Sequence, residues 1–390
     1  MSELIVHHGQ QVQSRVFQAP AKLSTLLGEG LMPETPCGGN GTCGKCTVYA
    51  AGALSPAPDG AGQVLACQVT VTGDAEVYLP GRQTVRQIQT GGAPDTWASL
   101  PGARGWGAAV DIGTTTVVVR LADLERGKLM PPLCDENPQR LLAADVIGRI
   151  QAAGEGKGPI LRQMIRETVD HLLETACQAA GIGREDLTRT VITGNTTMLY
   201  LYTGRDLEPL SHAPFQADCL FGYEADGVWY PPCFGAFVGA DIYTAIRASG
   251  MCRRPETALL IDLGTNGEIA LVHQGQLLCC ATAAGPAFEG SSIRCGGVSA
   301  EGAVDHVSLE DGSVTFTTIG GVPAQSICGS GLVDLLACLL SKEIVDETGA
   351  MEEGVYHLAG EVALYQEDVR QLQLAKGAIR AGMETLLQRA

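Results

Sequence analysis

Residues 108–129 read AAVDIGTTTVVVRLADLERGKL, and residues 259–278 read LLIDLGTNGEIALVHQGQLL. Each is an apolar strand ending in Asp, then a Gly-Thr turn, a second strand, a polar turn and a third strand. Asp262 follows Asp111 by 151 residues. From Trp106 onward strands alternate with amphipathic helices, which predicts an α/β fold. The echo at that distance predicts a duplicated domain with a cleft between the copies. Leu161 to Ala180 has helical spacing, with Ile165, Val169, Leu172, Leu173 and Ala176 on its apolar stripe.

A Gly-Thr turn offers backbone N–H and hydroxyl donors to phosphate oxygens, and the Asp before the Gly can orient Mg2+ through water. One such turn is an ordinary β-turn; two in equivalent places point to a nucleotide held with Mg2+. No GxGxxG opens a helix after a strand, and no GxxxxGK[ST] occurs, so neither of those phosphate loops is expected. TGNTTM (Thr193 to Met198) reads as a strand end beside the cleft. CGSGL (Cys328 to Leu332) reads as a turn opening a helix, where Gly329, Ser330 and Gly331 either touch nucleotide or serve as a cap.

The N-terminal stretch has a different texture. Leu4 to His7 and Val12 to Phe17 flank an HHGQQ turn like a hairpin, and a short helical piece follows near Lys22 to Gly28. Cys46 to Ala50 and Val69 to Leu79 are strand-like. That succession suits a small β-grasp domain over 1–82. Between its strands, CGGNGTCGKC supplies Cys37, Cys43 and Cys46, and VLACQV supplies Cys67, a C-x5-C-x2-C-x20-C spacing. Four thiolates from one glycine-rich loop and one later strand can hold a [2Fe-2S] cluster. Zinc also accepts four cysteines, but its usual pattern is two short CxxC pairs, and here there is one. The other ten cysteines show no ligand spacing and read as small buried hydrophobes.

Residues 83–104 lack periodicity and read as a linker, followed by a first lobe over 105–256 and a second over 257–390. Charge narrows the partners. Lys plus Arg total 26 against 43 Asp plus Glu, a formal charge of −17. So acidic a surface repels phosphate backbones and anionic lipid, which argues against nucleic acid or a membrane as partner. With no signal-peptide pattern and fourteen cysteines, reduced thiols or metal ligands in a cytoplasmic protein are expected.

The cysteine loop makes the N-terminal domain resemble a ferredoxin, with the longer first spacing of the vertebrate form. The paired Asp-Gly-Thr motifs resemble the phosphate loops of the actin, sugar-kinase and heat-shock-chaperone (ASKHA) ATPases. That resemblance implies Asp111, Gly113, Thr114 and Thr115 as the first loop, and Asp262, Gly264, Thr265 and Asn266 as the second. It also implies Asp241, in FVGADIYTAIRA, as an acidic group for the attacking water or the metal, making Asp111, Asp241 and Asp262 the catalytic set. Read from the residues alone, Asp241 is equally a helix N-cap.

A ferredoxin joined to an ASKHA domain resembles the reductive activators of corrinoid enzymes. CGGNGTCGKC, VDIGTTT, IDLGTNGE, AAGPAFEG, GGVSAEGAVD and ICGSGLVDLLA all read like that family. The resemblance implies an ATP-dependent transfer of one electron from a [2Fe-2S] cluster to the inactive cob(II)amide of a corrinoid methyltransferase protein. It also implies an upstream low-potential electron donor, and it is compatible with a homodimer. Alternatives are an ATP-dependent donor to another low-potential enzyme, or a redox- and nucleotide-responsive binding module without turnover. Two departures from the family pattern are expected: no extra domain between ferredoxin and ATPase, and a second lobe that ends, within the amphipathic stretch from Gln366 to Ala390, before the superfamily's glycine-rich adenosine turn. Reduced or absent ATPase activity follows from the second.

Overall fold

The computed structural model describes residues 1–8, 11–33, 40–41, 46–56, 62–79, 102–143, 145–264, 266–290 and 292–390. Cys37, Cys43, Thr265 and residues 83–101 of the expected linker lie outside them. The chain forms two compact units. The first joins the N-terminal sheet to residues up to Tyr230, and the second begins at Pro231.

In the N-terminal part of the first unit, β1 (Ser2–His8) and β2 (Gln11–Phe17) form a hairpin, followed by the short β3 (Ala21–Lys22) and α1 (Leu23–Leu31). β4 (Thr47–Ser55), β5 (Gly62–Leu65) and β6 (Thr70–Leu79) complete a sheet of order β2-β1-β6-β4-β5, with β3 pairing to β6. β1 and β6 run parallel in the middle. Period-2 alternation sorts the side chains. Leu4, Val6, Val48, Ala50, Val77 and Leu79 bury one face with Leu23 and Leu27 of α1. On the opposite face, Tyr49 and Tyr78 are buried with Ile160 and Met164. The expected strands and helix are all present. β5 escaped the sequence reading, since four residues are too few to show a period.

The remainder of the first unit begins with β7 (Trp106–Ile112), β8 (Thr116–Asp123), β9 (Lys128–Leu129) and β10 (Leu133–Glu136). α2 (Val146–Ala152) and α3 (Gly158–Ala180) follow, then β11 (Leu187–Gly194), α4 (Thr196–Thr203), α5 (Glu208–Ser211), β12 (Tyr223–Ala225) and β13 (Val228–Tyr230). The sheet order is β10-β8-β7-β11-β13-β12, with β7–β8–β10 antiparallel and β11 and β13 added parallel. α3 takes Ile160 and Met164 from its N-terminal turns, and its residues Ile165, Val169, Leu172 and Leu173 are buried as their spacing predicts.

The second unit contains α6 (Ala240–Ser249), β14 (Ala258–Leu263), β15 (Gly267–His273) and β16 (Gln276–Thr282). β17 (Ala303–Glu310), β18 (Ser313–Thr318), β19 (Ser326–Ile327), α7 (Gly329–Ser341), β20 (Val355–Ala359), β21 (Val362–Tyr365) and α8 (Gln366–Arg389) complete it. β14-β15-β16 is an antiparallel meander. β15 is buried on both faces. Ile269 and Leu271 join a core with Leu332 and Leu335 of α7 and Leu372 and Ile379 of α8, while Ala270 and Val272 pack with Val238, Ile242 and Ile246. This second contact explains why the compact units part at 230/231 and not at the 256/257 boundary read from sequence: α6 is apolar on the face that covers the meander of the second unit. Among the described residues no helix is long and apolar enough to cross a membrane. Of the ten cysteines read as buried, Cys177, Cys233, Cys328 and Cys338 are, five others are half-buried and Cys252 is exposed. Their positions on half-covered strands and turns account for the difference.

Candidate functional site

The first Asp-Gly-Thr turn connects β7 to β8. Its chain closes on itself through the Gly113 N–H, which donates to the Thr116 carbonyl at 2.9 Å. A Cβ on Gly113 would lie 2.7 Å from that carbonyl oxygen, so only glycine fits. The turn is held from behind by buried polar groups. Asn137 Nδ2 donates to the Gly113 carbonyl at 2.8 Å, and the Asn137 N–H donates to the Thr115 carbonyl at 2.8 Å. The Arg149 guanidinium donates to the Thr114 carbonyl. Asn195 Nδ2 donates to Thr114 Oγ1 at 3.1 Å while its Oδ1 caps α4 by accepting from the Met198 N–H at 2.9 Å. TGNTTM is therefore a strand end running into a capped helix, with Thr193 and Gly194 in register beside Asp111 and Ile112. Asp111 itself is exposed.

The second turn connects β14 to β15, and the Gly264 N–H donates to the Asn266 carbonyl at 3.2 Å. Asp262 is the direct cross-strand partner of Glu268. Ala258 and Leu260 before Asp262, and Ala270 after Glu268, pack against α6. Alternation therefore places both carboxylates on the α6 face, where α6 brings Asp241 in its first turn. The N-cap of that helix is Gly239, which corrects the N-cap alternative for Asp241. Its Oδ1 instead accepts from the Ile242 N–H at 2.8 Å.

Three carboxyls gathered in this way hold on to protons. Burial, reinforced by the charge of Asp262, pushes the Asp241 carboxyl up to about 6. Burial first, then the charges of Asp241 and Asp262, pushes Glu268 up to about 8. Asp262 is water-accessible yet surrounded by enough protein for desolvation to raise its pKa as well. A divalent cation would relieve all three, since a nearby positive charge favours the ionised form.

Gly329 and Gly331 sit at the start of α7, whose N-cap is Cys328. A Cβ at Gly329 would meet the Phe288 carbonyl oxygen at 1.9 Å, and one at Gly331 the Val304 carbonyl oxygen at 2.2 Å. The Ser330 hydroxyl donates to the Asp305 carbonyl at 2.7 Å. Close packing of α7 on β17 and on the turn at Pro286–Glu289 is thus sufficient reason for this motif.

Cys46 and Cys67 lie in turns beside β4 and β5, not on a strand as read for Cys67, and are buried with their Sγ atoms 3.2 Å apart. Bonds of about 2.3 Å to one tetrahedral metal would put two sulfurs about 3.8 Å apart, so the pair fits on a single metal ion after a small outward movement. The Gln68 side chain donates to Cys67 Sγ at 3.6 Å, the type of contact that tunes a thiolate ligand. Among the described residues no group of three or more His, Cys, Asp or Glu side chains is placed to hold a metal.

Two groups essential to this geometry, Arg149 and Glu268, carry no sequence signal of their role. Arg149 reads as a solvated charge on an amphipathic helix, and Glu268 as an ordinary polar position in a strand. Asn137 was open to detection, because Asn-Pro before a helical turn is a capping pattern.

Comparison with known proteins assigns the fold. A profile described as the C-terminal domain of RACo, the ASKHA domain, matches residues 256–390, and one described as the RACo middle region matches 106–254. The chain belongs to the RACo family. The match to the RACo middle region over 106–254 corrects the expectation that no extra domain stands between the N-terminal domain and the ASKHA domain. The corrinoid activation enzyme RamQ of Eubacterium limosum is 34% identical over 71% of this chain and 54% of its own. A [Co(II) methylated amine-specific corrinoid protein] reductase of Methanosarcina barkeri is 23% identical over 72% of this chain and 59% of its own. The chain thus spans just over half the length of these curated relatives. A solved structure of a reductive activator for corrinoid, iron-sulfur protein is 26% identical, with a TM-score of 0.63, covering 99% of this chain and 84% of that one.

Proposed function

We propose that this RACo-family chain is an ATP-dependent reductive activator that delivers one electron to the cob(II)amide of a corrinoid methyltransferase protein. The observation that carries the reading is the buried Cys46–Cys67 pair, 3.2 Å apart, beside the N-terminal sheet of a chain of this family. The strand order of that sheet supports a β-grasp ferredoxin domain, with Cys37 and Cys43 supplying the remaining two thiolates. A [2Fe-2S] cluster held there would supply one-electron chemistry, with a low-potential donor as the source of the electron and Co(II) of the partner as its acceptor, giving Co(I). The roles of this chain are to hold and desolvate the cysteines, to bind nucleotide and to select a state of the partner.

Chemistry of two kinds supports ATP with Mg2+, one kind in each unit. The first turn, braced through Gly113 and Thr114, presents donors to phosphate, and Thr115 extends it. The second turn, with Gly264, Thr265 and Asn266, leads into the acidic face formed by Asp241, Asp262 and Glu268, which are not placed to ligate a metal together and suit a hydrated Mg2+ held through water, and the attacking water. Asp241, with its raised pKa, is suited to accept the proton from that water near neutral pH. Asp111 stands exposed at the start of the first turn, where a carboxylate can order water.

The energetic demand is moderate. Each tenfold in a one-electron equilibrium corresponds to about 59 mV. Shifting a balance from about 1:99 to 99:1 takes about 5.5 kcal/mol, roughly 240 mV, which differential binding of ATP to two states can supply.

The test is anaerobic. Protein reconstituted with iron and sulfide is mixed with a corrinoid protein in the Co(II) state and a low-potential reductant, with and without ATP and Mg2+. Loss of the Co(II) absorption only when ATP and cluster are both present is expected. A colourless reconstituted protein, or reduction that proceeds equally after Cys67→Ser, overturns the proposal. Reduction without any ATP requirement would reassign the chain as a simple electron donor.

A further inference from the structure

A buried polar network links the first Asp-Gly-Thr turn to the part of α3 on which the N-terminal sheet rests. Arg149 and Gln139 are both fully buried. A cation so placed is costly unless its donors are used, and these are. Arg149 donates to the Thr114 carbonyl, to Gln139 Oε1 at 3.0 Å and to the Ala143 carbonyl at 3.1 Å. A guanidinium can only donate, so the oxygen of the Gln139 amide must face it and the nitrogen must face away. That nitrogen donates to the Leu161 carbonyl on α3 at 2.8 Å. A second branch starts at the Gly113 carbonyl, passes through Asn137 Nδ2, and reaches the Gln139 N–H through Asn137 Oδ1 at 3.1 Å. Both branches leave the turn and converge on Gln139.

The far end of the network lies under the N-terminal sheet. Leu161 follows Ile160, which with Met164 is packed against Tyr49 and Tyr78. These tyrosines are direct cross-strand partners and belong to one row, His7–Tyr78–Tyr49–Gln63, running over β1, β6, β4 and β5. The His7 ring stacks on Tyr78 with centroids 4.3 Å apart. Cys46 is only three residues before Tyr49 on the same strand approach. At the other end, the carbonyls of Gly113 and Thr114 belong to planar trans peptides, so the N–H groups of Thr114 and Thr115 point away from Arg149 and Asn137. An anion attracted to those N–H groups therefore acts on the same peptides that the network grips.

We propose that Arg149 and Gln139 are positioning residues that couple phosphate occupancy of the first turn to the way the N-terminal sheet, and with it the buried Cys46–Cys67 pair, is held on α3. This rests on the nucleotide reading of the turn. A close-packed network cannot stretch at one end without breaking bonds whose buried partners would be left unsatisfied, so displacement of the turn is passed on. Coupling of this kind is reciprocal: the sheet contact must alter nucleotide affinity by the factor by which nucleotide alters the contact.

The experiment is hydrogen–deuterium exchange on the full chain, with and without a non-hydrolysable ATP analogue and Mg2+, alongside calorimetric titration of the same analogue. Peptides over 47–55 and 70–79 are expected to change exchange rate about fivefold or more on binding, the lower end of typical allosteric coupling. Gln139→Leu should abolish that change while shifting nucleotide affinity by no more than the same factor. Because Gln139→Leu also leaves Arg149 short of an acceptor, Gln139→Glu is the second variant: it keeps a partner for Arg149 but replaces the donor at Leu161 with an acceptor, and it too should lose the change. Analogue binding to the unmodified protein without altered exchange in these peptides overturns the coupling and leaves the nucleotide reading intact. So does a Gln139→Glu protein that keeps the full response. If calorimetry finds no binding to the unmodified protein, the nucleotide reading falls and the coupling with it.

Discussion

The two Asp-Gly-Thr turns begin alike and are set in opposite surroundings. Opposite Asp111 across its hairpin stands Val118; opposite Asp262 stands Glu268. The turn after Asp111 is braced from behind by Arg149, Asn137 and Asn195, all donating to it. The turn after Asp262 adjoins a carboxyl cluster in which Asp241 and Glu268 retain protons well above the usual carboxylate range. The same local motif therefore yields a rigid donor surface in one unit and a cation- or proton-hungry surface in the other.

Four measurements would break or sharpen this contrast. Replacing Arg149 by Met should have the largest effect, because it strands one buried and two half-buried acceptors, the buried one at about 1–3 kcal/mol. A loss of roughly 3 kcal/mol or more is expected in denaturant unfolding of the first unit; a loss below about 1 kcal/mol would mean the brace is dispensable. Asp241→Asn should lower the ATP turnover of this chain, itself expected to be reduced, about a hundredfold further, or about 2.7 kcal/mol in the barrier, with nucleotide affinity little altered. Steady-state turnover close to that of the parent protein would remove Asp241 from the chemistry.

Glu268→Gln tests the acidic face through pH. In the folded state the Glu268 carboxyl binds its proton more tightly than the ordinary value of 4.5, up to about 8. Its contribution is therefore fully present below about pH 4.5 and is lost as pH rises through about 8. Glu268→Gln should raise the melting temperature at about pH 8, have little effect at about pH 4.5, and flatten the slope between them; added Mg2+ should stabilise the parent protein more than the variant. A variant less stable at high pH would sink the description of Glu268 as a carboxyl that burial and its neighbours' charges keep protonated. The smallest effect is expected from Asn195→Ala, which removes one helix cap and one bond to Thr114, at about 1 kcal/mol. Thermal unfolding would read it, and a null result would show the first turn to be held by Arg149 and Asn137 alone.

Much of the molecule was legible in order and period. The hairpin, α1, β4 and β6 follow from β-branched alternation, and α3 and α8 from their apolar stripes. The cysteine spacing marked the N-terminal loop before its strands could be seen to bring Cys46 and Cys67 together. The motif at Gly329 and Gly331 was legible as a helix opening, but its glycines proved to be required by backbone contacts with Phe288 and Val304, which are remote in sequence.

Local sequence determined where the strands and turns lie, because backbone preference and the period of apolar residues act within a few residues. It also determined the candidate ligands, because thiol spacing and Asp-Gly-Thr chemistry are properties of short segments. Only the tertiary structure decided that Arg149 grips the Thr114 carbonyl, that Glu268 faces Asp262, that α6 packs with the second unit and that Tyr49 and Tyr78 rest on α3. Each of these is an energy of burial or of charge, set by which distant groups the fold brings within a few ångströms and shields from water.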